Sequence, residues 1–91
     1  MKIEQLRYVI ETANLGSINK ASEKMYVAQS TISLSIKQLE DELGFKIFER
    51  SNNGTTLTGY GECFYNKAKK VVYLFDDLHT INTRTFVRKQ F

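Results

Sequence analysis

The seventeen residues from Ala28 to Gly44, AQSTISLSIKQLEDELG, constrain this chain more tightly than any other stretch. Plotted at about 100° per residue, Ile32, Ile36, Leu39 and Leu43 share one narrow stripe, the i, i+4, i+7, i+11 spacing of a helix laid on a core. The opposite side carries Ser30, Ser33, Leu34 and Lys37, so its N-terminal end is short-chained, uncharged or basic. Acidic side chains wait until Glu40, Asp41 and Glu42, and Gly44 supplies a stop. A helix with small hydrogen-bonding side chains at its outer N-terminal end can enter a DNA major groove.

The preceding residues supply the rest of a helix-turn-helix. Ile3 to Asn14 reads as a first helix, with Ile3, Leu6, Val9, Ile10 and Ala13 inward and Lys2, Glu4, Arg7 and Glu11 in water. Leu15-Gly16 ends it, and the Ser17 hydroxyl can cap a short second helix, Ile18 to Met25. Ile18, Ala21 and Met25 face inward there, and Ala21 and Ser22 are small enough for a close helix crossing. Tyr26-Val27-Ala28 is then a three-residue turn with Val27 as a buried plug, joining a short helix to a longer one.

Past Gly44 the periodicity changes. Lys46 to Leu57 reads as a two-stranded hairpin turning on Asn53-Gly54, a pair that tolerates positive φ, with Phe48 and Leu57 anchoring it on the core. Thr58 can cap a last helix, expected from Gly59 to about Thr85. Phe64, Ala68, Val71, Phe75 and Leu78 step 4, 3, 4, 3 along it, the spacing of a coiled-coil seam. Such a helix, about 40 Å long at 1.5 Å per residue, outreaches a domain this small. Its far half needs other cover, and a second copy of the chain is the simplest. The expected fold class is mainly α with a small β-hairpin wing: a winged helix-turn-helix over residues 1–58, then a linker helix and tail over 59–91.

Charge alone does not decide the partner. Through Gly59, Lys2, Arg7, Lys20, Lys24, Lys37, Lys46 and Arg50 are balanced by Glu4, Glu11, Glu23, Glu40, Asp41, Glu42 and Glu49. The excess of +3 lies beyond, including the cluster Lys67, Lys69 and Lys70, read as a solvated helix face. One cysteine, Cys63, excludes an internal disulfide and reads as a small, semi-buried hydrophobe. The sequence shows no signal peptide and no membrane-length apolar run, so the expected location is cytoplasmic, with no membrane partner. No paired carboxylates, nucleophile-base pair or glycine-rich phosphate loop stands out, and His79 has no partner to make a metal or catalytic pair. Neither enzymatic activity nor a cofactor or metal is therefore expected.

Taken in order, several segments resemble the N-terminal DNA-binding region of the LysR-type transcriptional regulators. They are Leu6-Arg-Tyr, Gly16-Ser17, Ala21-Ser22, Val27 to Ser33, Ile36 to Glu40, Glu42-Leu-Gly44, Phe48-Glu-Arg50 and Leu57 to Glu62. The resemblance implies winged helices paired through the linker helix as a homodimer, or a tetramer in a full-length form, on dyad-symmetric double-stranded DNA. It implies a small-molecule inducer acting only through a C-terminal effector domain that is not in this sequence, so the chain reads as a fragment or a stand-alone remnant.

Carried over residue by residue, the DNA-facing helix positions are Gln29, Ser30, Thr31, Ser33, Leu34 and Lys37. Arg50 matches a phosphate-approaching wing-base arginine, with a structural pair to an acidic neighbour such as Glu49 as the competing role. Asn52, Asn53 and Thr58 complete the wing set, Ser17 caps helix two near phosphate, and Phe64, Ala68, Val71, Phe75 and Leu78 form the dimer seam. Four positions depart from the family pattern. Ser30 replaces a usual proline, Ala28 a usual serine cap, and Leu34 a frequent arginine. Asn53 also stands where a wing arginine is frequent, which weakens the case for minor-groove insertion. The alternative reading is a protein-interaction module, or a truncated regulator that heterodimerises with a full-length relative.

Overall fold

A computed structural model describes residues Met1–Ile81. Its elements run α1 (Ile3–Leu15), α2 (Ile18–Met25), α3 (Gln29–Leu43), β1 (Phe48–Ser51), β2 (Gly54–Leu57) and α4 (Gly59–Leu78). Three helices bury one shared stripe and the two strands form an antiparallel hairpin, which is a winged helix-turn-helix. Ile32, Ile36 and Leu39 of α3 meet Val9 of α1, Ile18 and Ala21 of α2, and Ile47 and Phe48 ahead of and on the hairpin. Burying that apolar surface is what fixes α3 at a defined angle on the domain.

Local chemistry sets the boundaries. Ser17 Oγ accepts the Lys20 N–H at 3.1 Å and caps α2. Gly16 closes α1 in the left-handed region at φ 66°. The turn from α2 into α3 reverses at Tyr26, which holds φ 58° without being glycine and is 93% exposed. Helix α3 begins with Ala28 in the cap position and no side-chain cap. At its other end Glu40 turns inward, accepting the backbone N–H groups of Ile47 at 2.8 Å and Phe48 at 3.3 Å.

Several expectations shift. The hairpin pairs Phe48 with Leu57, Arg50 with Thr55 and Ser51 with Gly54, so the turn lies on Asn52-Asn53 rather than Asn53-Gly54. Within the hairpin only Gly54, at φ 113°, takes positive φ. Its position is forced by the α1–α2 turn: a Cβ on Gly54 would sit 2.9 Å from the Gly16 carbonyl oxygen, which accepts the Thr55 N–H at 3.1 Å. Helix α4 ends at Leu78 rather than near Thr85: past it the backbone closes i→i+3 turns, the Thr80 N–H donating to the Asp77 carbonyl at 3.0 Å and the Ile81 N–H to the Leu78 carbonyl at 3.4 Å. Positions 82–85 lie outside the described residues. Val27 is half-buried, packed against the core rather than sealed inside it. Glu11 is not in water but largely covered, and pairs with Lys24 of α2. Cys63 is exposed, because it lies off the α4 stripe that faces α1.

Candidate nucleic-acid interface

The outward side of α3 is open over its first half. Gln29, Ser30, Thr31 and Lys37 are exposed, Ser33 is half-buried, and Leu34 is 58% exposed. The pattern follows from the buried stripe: with Ile32 and Ile36 anchored in the core, Ser30, Leu34 and Lys37 must point away from it. Further along, Asp41 stands 4.0 Å from Lys37 and places negative charge on the same ridge. The half suited to a polyanion is therefore the N-terminal one.

The wing stands beside this ridge, leaving two clefts. One, of about 420 Å³, has Ser33, Lys37 and Glu40 of α3 in its lining, with Lys46, Phe48 and Arg50. The other, of about 210 Å³, is lined by Ser17, Asn19, Gln29, Arg50, Gly54 and Thr55. Arg50 borders both. Neighbours along a strand project to opposite faces, so Glu49 cannot turn to pair with Arg50. Among the described residues Arg50 forms no ion pair at all, whereas Lys46 lies 3.6 Å from Glu40. Glu40 also lines the first cleft but is engaged by the Ile47 and Phe48 N–H groups and by Lys46, so the Arg50 guanidinium keeps its donors for a phosphate group, to two oxygens of which it can donate two parallel hydrogen bonds.

The structure brings Ser17, Gln29, Ser33, Lys37 and Arg50 together around these clefts. It leaves Asn52 and Asn53 at the exposed hairpin tip, away from both. Thr58, expected with the wing, has its hydroxyl committed within the chain: it donates to the Lys46 carbonyl at 2.6 Å and accepts the Gly61 N–H at 2.9 Å. Sequence reasoning missed Lys46, Asn19 and Thr55. Thr55 is opposite Arg50 in the hairpin register, a pairing that placing the turn on Asn52-Asn53 would have exposed.

The expected dimer seam divides. Phe64 packs against the core and Ala68 is 3% exposed within one chain, so α1 already covers this part. Val71, Phe75 and Leu78 are exposed, at 50%, 38% and 63%.

Residues 3–62 match the family model described as "Bacterial regulatory helix-turn-helix protein, lysR family". The chain belongs to the LysR family. Relatives include two proteins of Bacillus subtilis (strain 168). The uncharacterized HTH-type transcriptional regulator YcgK is 41% identical over 78 residues, covering 86% of this chain and 24% of that protein. The HTH-type transcriptional regulator BsdA is 42% identical over 78 residues, covering 85% and 27%. The chain thus spans about a quarter of the length of these curated relatives. Among solved structures, the BenM DNA-binding domain in complex with catB site 1 DNA superposes with a TM-score of 0.87 at 32% identity, covering 93% of this chain and 96% of that one. The CbnR DNA-binding domain–DNA complex gives 0.80 at 30% identity, covering 99% and 95%. These LysR relatives are transcriptional regulators, and no helix among the described residues is long and apolar enough to cross a membrane.

Proposed function

We propose that this chain is the sequence-specific DNA-binding head of a LysR-type transcriptional regulator. The open N-terminal half of α3 enters the major groove, and Lys37, Arg50 and the Ser17 region take flanking phosphates. The observation that carries this reading is Arg50, free of acidic partners among the described residues and set between two clefts beside that ridge. The solved BenM and CbnR domains, whose folds this chain shares, were seen with DNA. Gln29 has the chemistry to bond an adenine edge, and Ser30, Thr31 and Ser33 to reach phosphate or a base. We further propose that the head, residues 1–58, works as a homodimer joined through the exposed far face of α4, reading a dyad-symmetric operator.

The test is fluorescence anisotropy of the folded chain against duplexes enriched from random DNA, at several salt concentrations. Affinity should fall steeply with salt, because each neutralised phosphate releases counterion. Lys37→Ala with Arg50→Ala should flatten the log–log slope by roughly 1.8 per bound protomer, about 0.9 per lost contact and so about 3.6 for a dimer on its operator. Failure of any sequence to enrich, from folded protein, would overturn the reading in favour of a protein-interaction module.

A further inference from the structure

The ridge of α3 has one member whose chemistry differs from its neighbours. Leu34 is 58% exposed, flanked one turn away on either side by Ser30 and Lys37. At 100° per residue it stands roughly 160° from both Ile32 and Ile36, which are anchored in the core. It therefore crowns the helix face that points straight out of the domain. Asp41, one turn beyond Lys37, puts negative charge at the ridge's far end, which favours groove contact over the N-terminal part of the ridge, where Leu34 lies.

An isobutyl side chain neither donates nor accepts a hydrogen bond. Pressed against guanine O6 and N7, adenine N6 or cytosine N4, it would strip water from those groups and return nothing. The major-groove edge of a base pair offers one apolar feature, the C5 methyl of thymine. We propose that Leu34 reads a pyrimidine 5-methyl group, thymine in ordinary DNA, at one position of each half-site. The inference rests on the reading of α3 as the groove-entering helix, and it makes this chain's base preference at that position one of shape and apolarity rather than hydrogen bonding. Covering one methyl at the rate for buried apolar surface corresponds to roughly fourfold in affinity.

The experiment begins with a duplex enriched by the wild-type chain; enrichment of none sinks the DNA-binding reading itself, separately from this proposal. With a site in hand, each thymine is replaced singly by uracil, which removes the methyl and leaves the pairing edge intact. Wild-type chain should bind about fourfold more weakly when one particular thymine in a half-site is replaced, and Leu34→Ala should bind thymine and uracil equally there. At that same position, 5-methylcytosine should be bound about fourfold better than cytosine by the wild type and no better by Leu34→Ala. Uracil tolerated at every position, or a Leu34→Ala chain that keeps the wild-type discrimination, overturns the proposal. Should Leu34→Ala bind too weakly to measure, Leu34→Met decides. It keeps an apolar end and must keep the methyl preference.

Discussion

The two halves of α4 carry the same apolar spacing and meet opposite fates. In the first half, Gly61 and Ala68 are buried and Phe64 packs on the core. The Phe45 and Tyr60 rings stack at 5.2 Å, and Thr58 ties the helix start to the backbone ahead of the wing. In the second half Val71, Leu74 and Leu78 stand open, at 50%, 61% and 63% exposure. What holds this half to α1 is half-buried Val72 and a bidentate pair, Arg7 to Asp76 at 2.6 and 3.2 Å, with the Arg7 guanidinium 5.9 Å from the Phe75 ring centre. A repeating apolar stripe thus records that a face needs cover, and the length of the neighbouring helix decides how much one chain can supply.

The strongest way to break this contrast is Gly61→Val. A Cβ there would overlap the Ile47 carbonyl and lie 3.1 Å from Thr58 Oγ1. Since Ile47 is backbone beside the wing, the helix start must lift, and stability measured by urea titration should fall by about 3 kcal/mol. A loss within 1 kcal/mol would mean the first half is not seated as described.

Leu74→Glu with Leu78→Glu addresses the other half. Stability of the single chain should change by no more than about 0.5 kcal/mol, as for exposed positions in general. Self-association followed by sedimentation should weaken at least tenfold, because four like charges would face one another across a two-fold contact. Unaltered association would place the contact between copies elsewhere.

The smallest effect belongs to Asp76→Asn. The Arg7 guanidinium, through its hydrogen bonds and then its charge, holds the Asp76 carboxyl below the ordinary carboxylate range and raises the Arg7 pKa in return. A carboxyl depressed in the folded state adds stability above its unfolded pKa, and that stability is lost as pH falls through the depressed folded value. Melting curves of wild type and Asp76→Asn should therefore differ slightly at neutral pH and converge in acid. Both groups are solvent-accessible, so the neutral-pH difference is small. A difference that grows on acidification would contradict the pair's contribution.

Much of this was legible beforehand, for identifiable reasons. The α3 stripe, the Ser17 and Thr58 caps and the glycine after α1 are local chemistry, and all sit where their residues predict. The hairpin turn moved by one residue because Asn and Gly both suit turns, and the choice between them is made by a contact distant in sequence, Gly54 against Gly16. That single step moved Arg50's partner to Thr55 and hid one wall of a cleft. Glu11 looked like surface because its cover, Lys24, comes from another helix. Periodicity likewise could not separate Ala68, already covered, from Val71, three residues on and bare. The resemblance supplied the family; it did not supply Lys46, which the packing of α3 against the wing brings beside Arg50.

The hydrogen bond from the Thr55 N–H to the Gly16 carbonyl ties the wing, one residue past the pair that closes its turn, to the turn that precedes Ser17. Changes of loop length are consequently not equivalent along the hairpin. An insertion at Gly54 or Thr55 would break that tie and carry Arg50 out of line with α2. One between Asn52 and Asn53, both exposed and outside the clefts, would leave it in place. The tip is thus the segment where a reporter peptide or a longer loop can be grafted with the pairing of Arg50 preserved.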